Sequence, residues 1–156
     1  MDKLKLRTAQ IGRCGELLVQ YRLLMHGIES APMTTDAGID LVAYSPKSAR
    51  AITIQVKTNL RPKPGGGRGK MALDWWISET SPAEVAALVD LETQRVWLLL
   101  QSELATIAQQ KSGGRLHFYF YTDPQSRPRI GGRLDREYEG FLIEQQIKRI
   151  FGSPPL

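Results

Sequence analysis

Gln55 and Lys57 stand two residues apart in the run Ala51-Ile52-Thr53-Ile54-Gln55-Val56-Lys57-Thr58. The run alternates: Ile52, Ile54 and Val56 share one face, while Thr53, Gln55 and Lys57 share the other. It therefore predicts a strand that projects an amide and an ammonium group together. Upstream, Gly38-Ile39-Asp40-Leu41-Val42-Ala43-Tyr44 predicts a second strand, and Ser45-Pro46-Lys47-Ser48 a turn that joins the two as a hairpin. Asp40 then enters at the same end of a small sheet as Gln55 and Lys57. Such a group has a division of labour. Asp40 offers hard oxygen ligands to Mg²⁺, with Mn²⁺ as a substitute, and Gln55 adds a neutral oxygen beside the Val56 carbonyl. Lys57 could orient or deprotonate a water, or stabilise charge on a phosphate. The plain alternative is a solvated polar face on an antiparallel hairpin.

Glu16 is a second anomaly. Residues 8–26 predict a helix closed by Gly27. On it Glu16 falls on a stripe with Gly12, Val19 and Leu23, otherwise small or apolar. A carboxylate there is costly without a partner. Two readings stand: a carboxylate aimed at a metal or at Lys57, or a helix-edge glutamate that reaches solvent. Gly12 and Gly15 would let the helix approach the sheet closely.

Further elements are needed to hold these groups. Leu73 to Ser78, with Trp75 and Trp76, predicts a short strand; one Trp belongs to the core and the other could stack on a base or meet a subunit. Val85–Leu91 and Arg95–Leu100 flank the turn Glu92-Thr93-Gln94 and predict a second hairpin. A short helix is expected from Ser102 and Glu103 to about Gln110, ended by Ser112-Gly113-Gly114. Leu116–Tyr121 reads as a strand, Asp123 to Gly132 as a loop, and Leu134–Phe151 as a closing helix. The order gives an α/β domain with a mixed central sheet flanked by helices, spanning residues 1–156 as a single unit.

Composition fits a protein that meets polyanions. The net charge is +5, with 42% hydrophobic and 24% charged residues. The excess cations concentrate in two Gly/Pro-rich stretches: Arg61, Lys63, Arg68 and Lys70 in one, Arg127, Arg129 and Arg133 in the other. Both are candidate phosphate contacts, against the alternative of solvated loops. Cys14 is the only cysteine, which excludes an internal disulfide and a cysteine-rich zinc site. Its helical neighbours place it in the core. A reducing, cytoplasmic setting is expected, with no signal peptide and no membrane span. His26 and His117 form no metal-ligand spacing. Pro64-Gly65-Gly66-Gly67-Arg68-Gly69-Lys70-Met71 has Pro64 where the first Gly of a phosphate-binding loop belongs, and Met71 where Ser or Thr should hold Mg²⁺.

Gly12-x-x-Gly15-Glu16 on a first helix, Gly38-Ile39-Asp40-Leu41-Val42-Ala43 on a strand and Gln55-Val56-Lys57-Thr58 on the next resemble the PD-(D/E)XK nuclease superfamily. The motif-bearing part covers residues about 10 to 60, and Asp90 to Trp97 is similar to the later hairpin of such folds. The resemblance implies a restriction-endonuclease-like domain that hydrolyses DNA phosphodiesters with Mg²⁺. By it Asp40, Gln55 and Lys57 are the catalytic set, helped by Glu16. Gln55 stands where most members carry an acid, and Ile39 where many have proline. A catalytically silent module that keeps the fold for DNA binding or assembly is the alternative reading. A third is a small interaction protein whose basic loops meet an acidic partner. A homo-oligomer is expected, because a domain of this size needs a second copy to cut both strands.

Overall fold

A computed structural model describes residues 4–35, 37–65, 69–125 and 133–152. Helix α1 (Thr8–Met25) ends where Gly27 takes a φ of +78°, as its sequence predicts. Strands β2 (Leu41–Ser45) and β3 (Arg50–Asn59) form the expected hairpin, with Leu41 facing Ile54 and Ser45 facing Arg50. Strands β6 (Val85–Asp90) and β7 (Arg95–Leu100) form the second hairpin, with Val85 facing Leu100. A short edge strand, β1 (Glu29–Pro32), pairs antiparallel with β2 and was not anticipated. Strand β6 lies parallel to β3, Ile54 facing Val85 and Asn59 facing Asp90. The resulting mixed sheet runs β1-β2-β3-β6-β7.

A second sheet, absent from the sequence reading, packs on the first. It is built from β4 (Lys63–Pro64), β5 (Met71–Ser78), β8 (Gln110–Ser112), β9 (Arg115–Tyr121) and β10 (Arg133–Leu134). Its order is β10-β9-β5-β4, with β8 also on β9. Strand β6 carries no polar residue until Asp90 because both of its faces are covered. Val85, Ala87 and Val89 face one core with Val19, Leu23 and Ile143. Ala86 and Leu88 face another with Trp75, Trp97 and Phe118. The layers are therefore helix, sheet, sheet.

Two expected helices are shorter than the sequence suggested. Residues 101–103 form a 3-10 turn and only Leu104–Ile107 (α2) is α-helical. Gly113 and Gly114, with φ of +58° and +76°, turn the β8–β9 hairpin instead of ending a helix. The closing segment divides into a 3-10 stretch, Asp135–Phe141, and α3 (Ile143–Phe151). Between them Leu142 is extended and its backbone bridges to Trp97, a tertiary pairing that interrupts the helix. Helix α3 is then fixed by Gln146, which is buried and donates to the Leu98 carbonyl at 3.1 Å.

Candidate active site

The site forms where β2 runs out beside β3. Continuing the register by one residue sets Asp40 opposite Gln55, and the Asp40 N–H still donates to the Ile54 carbonyl at 2.9 Å. The Asp40 carboxylate then takes the place of a missing strand partner: its Oδ2 accepts the Val56 N–H at 2.6 Å. In an extended strand the N–H and C=O of one residue point to the same edge. The Val56 carbonyl therefore opens toward Asp40 as well. Gln55 and Lys57 lie on one face of β3, both half-buried. The structure thus brings Asp40, Gln55 and Val56 together, with Lys57 on the Gln55 face.

Two features outside the sequence reading shape this corner. Gly38 has a φ of +82°, and a Cβ there would meet Pro82 Cδ at 3.0 Å, so the chain entering Asp40 lies against Pro82. Next to it the Ser81 hydroxyl donates to Gln55 Oε1 at 3.1 Å. A serine in a loop carries no periodic signal, and only the fold shows that it reaches Gln55. Two residues beyond Lys57, Asn59 accepts the Asp74 N–H at 3.2 Å and donates to the Asp74 carbonyl at 2.6 Å. That pair ties β3 to the second sheet.

Helix α1 reaches β3 through Gly15. A Cβ on Gly15 would fall 1.8 Å from Thr58 Oγ1, so only glycine permits this approach. Gly12, by contrast, has open space around its Cα. The buried stripe is Gly15, Val19 and Leu23, and Glu16 sits at its edge. Its carboxylate pairs with Arg13 at 2.8 Å, and the side chain is 24% exposed. Cys14, expected in the core, is exposed, because Gly15 and not its neighbour points at the sheet.

The donor set suits a hard divalent cation: one carboxylate, one amide oxygen and one backbone carbonyl. Among the described residues no cluster of three or more His, Cys, Asp or Glu side chains could hold a metal. The protein thus supplies little negative charge. That is compatible with Mg²⁺, which binds through one or two carboxylates and completes its shell with waters and substrate phosphates.

Of the basic candidates, Arg61, Lys63, Lys70 and Arg133 are exposed; Arg68, Arg127 and Arg129 lie outside the described residues. Lys63 faces Ala72, Ala72 faces Tyr121, and Tyr121 faces Leu134, the neighbour of Arg133. Lys63 and Arg133 thereby meet one end of the second sheet. Trp75 is in the core, edge-on to Trp97 and Phe120. Trp76 faces outward, stacked on His117 at 4.0 Å between ring centroids, with Arg115 over its ring. His117 is bonded to Asp74 at 3.1 Å and is a sheet-face residue.

No protein-family model and no curated relative matches the sequence. Among solved structures, that of a bacterial homing endonuclease superposes with a TM-score of 0.61 at 16% identity, covering 95% of each chain. A Holliday junction resolvase from the archaeal hyperthermophile Archaeoglobus fulgidus gives 0.48 at 14% identity, over 69% of this chain and 82% of the other. At such identity the likeness is one of fold. The chain has the restriction-endonuclease-like nuclease fold, an α/β domain with a mixed central sheet, here carrying α1 and α3 on one face and the second sheet on the other, as the resemblance in its motifs implies.

Proposed function

We propose that this protein is a metal-dependent DNA endonuclease acting through Asp40, Gln55 and Lys57. The observation that carries the reading is the Asp40 carboxylate held at 2.6 Å on the Val56 N–H, directly across from Gln55, in a nuclease fold. Asp40, Gln55 Oε1 and the Val56 carbonyl would hold Mg²⁺ or Mn²⁺. When bound, such an ion neutralises charge on the scissile phosphate and makes a water more acidic. The Val56 N–H bond to Oδ2 orients the Asp40 carboxylate at the end of β3. The Lys57 ammonium stands on the Gln55 face to bind a non-bridging phosphate oxygen or to orient the attacking water. Glu16 adds a carboxylate to the set once its Arg13 partner turns to phosphate.

DNA is the partner, met through Arg61, Lys63 and Lys70 on one side and Arg133 on the other, with Arg68, Arg127 and Arg129, outside the described residues, as further candidates. Lys63 and Leu134 are three strand spacings apart, roughly 14 Å, close to the ~12 Å width of a major groove. The active form is a homo-oligomer. Supporting this, α1 turns Leu17, Tyr21, Leu24 and Met25 outward, each at least half exposed, on the face opposite its buried stripe. Among the described residues no helix is long and apolar enough to cross a membrane.

A second reading, a silent module that binds DNA without cutting it, is favoured by Gln55 in an acid's place and by the Arg13–Glu16 ion pair. Mn²⁺ binding, followed by the loss of the free-ion electron paramagnetic resonance signal, separates the two. The nuclease reading expects saturable binding by wild type that Asp40→Ala abolishes. DNA affinity with no Mn²⁺ bound by wild type would favour the silent module.

A further inference from the structure

An amide differs from a carboxylate in having one end that repels cations. If Gln55 is to serve where an acid usually stands, its oxygen and not its NH₂ must face the metal. Free rotation about the last side-chain torsion would present the wrong end in part of the population. The structure supplies a group that chooses. The Ser81 hydroxyl lies 3.1 Å from Gln55 Oε1, and Ser81 Oγ also accepts the Ala83 N–H at 3.4 Å. With that N–H on its oxygen, the hydroxyl is directed to donate, and the amide oxygen is the end that can receive it.

The segment is itself fixed at both ends. Ser81 N–H donates to the Ser78 carbonyl at 3.2 Å, and Glu84 N–H donates to Thr53 Oγ1 at 3.0 Å. Pro82 rests on Gly38, two residues before Asp40. A single short strap after β5 thus touches the approaches to both proposed ligands.

We infer that Ser81 is a positioning residue that orients the Gln55 amide oxygen toward the metal site, a requirement created by glutamine at this position. The inference rests on the metal-site reading above. It makes a specific demand: a carboxylate at position 55 has oxygen at both ends and does not need Ser81.

The test is Mn²⁺ binding alone, by the same resonance signal, in six proteins: wild type, Ser81→Ala, Ser81→Thr, Gln55→Glu, Gln55→Glu with Ser81→Ala, and Asp40→Ala. Removing an outer partner of a metal ligand costs roughly 10-fold to 100-fold in affinity. Ser81→Ala is expected to weaken binding by about 10-fold or more on that scale, while Ser81→Thr, which keeps the hydroxyl, stays near wild type. In the Gln55→Glu background the same Ser81→Ala change is expected to have no measurable effect. Equal losses in both backgrounds would assign Ser81 a merely structural role and overturn the inference, as would no loss beside Gln55. If Asp40→Ala leaves Mn²⁺ binding unchanged, the metal-site reading falls and takes the inference with it. Loss in Asp40→Ala with no loss in Ser81→Ala sinks the inference alone.

Discussion

The Asp40 carboxylate has a structural task, the proposed function gives it a chemical one, and substitution can part them. One oxygen caps the Val56 N–H where β2 no longer can. Asp40→Ala orphans that donor and is expected to lower stability by about 1 kcal/mol or somewhat more. Asp40→Asn retains an acceptor and should unfold near the wild-type denaturant midpoint, yet lose cleavage, because the charge is gone. Cleavage by Asp40→Asn at the wild-type rate would remove Asp40 from the site. Lys57→Ala is expected to cost on the order of 10²–10⁴ in rate with little change in stability, since its ammonium is on a half-buried strand face. At this scale the sequence was informative where strand phase speaks. Alternation put Gln55 and Lys57 on one strand face, and the predicted hairpin brought Asp40 to the same end, which the register bears out. Ser81 and Pro82 could not be, because loop residues meet the site only through tertiary packing. On α1 the stripe through Val19 and Leu23 was read correctly, but it continues through Gly15, so that Gly12 has open space and Cys14 is exposed.

Among the elements, α1 makes its closest approach to β3 at Gly15 and α3 carries a surface ion pair, and each makes a separate prediction. Gly15→Ala would drive a Cβ into Thr58. The expected cost is about 1–3 kcal/mol, read as a lower denaturation midpoint, with partial recovery when Thr58→Ala is added. A neutral or stabilising Gly15→Ala would show that the helix does not approach β3 so closely. Near α3, burial raises the pKa of Glu103, but its bonds to Arg149 and to the Leu100 N–H outweigh this and hold the carboxyl below its ordinary 4.5. A carboxyl with a lowered folded-state pKa stabilises the fold above its unfolded value and loses that contribution as pH falls through the folded one. The melting temperature should therefore drop as pH falls below about 4.5, with a shallower drop in Arg149→Ala. Parallel pH profiles would rule the pair out as a contributor. The long, periodic elements were legible: α1 and both hairpins. Of the second sheet, β5 and β9 were legible as strands, but not their separation from the first sheet nor β4, β8 and β10, which are two or three residues long and carry no period. The break at Leu142 was equally hidden, being imposed by its bridge to Trp97.

For the whole molecule, the fold brings Lys63 and Arg133, distant in sequence, to one end of the second sheet, in a chain of net charge +5. Each phosphate contact releases condensed counterions, so the logarithm of affinity falls with the logarithm of salt by about 0.9 per contact on duplex DNA. Neutralising Arg61, Lys63, Arg68 and Lys70 together should weaken binding and reduce that slope by up to roughly 4 × 0.9. An unchanged slope would place the DNA elsewhere on the surface. The central claim, that this nuclease fold cuts DNA through the β3 site, is tested most directly with supercoiled plasmid and a synthetic four-way junction. Each is incubated with Mg²⁺ or Mn²⁺ and either wild type or Lys57→Ala. Wild type should nick or linearise at least one substrate, only with metal present, while Lys57→Ala leaves both intact. Equal cutting by the two proteins, or cutting by wild type without a divalent metal, would contradict it.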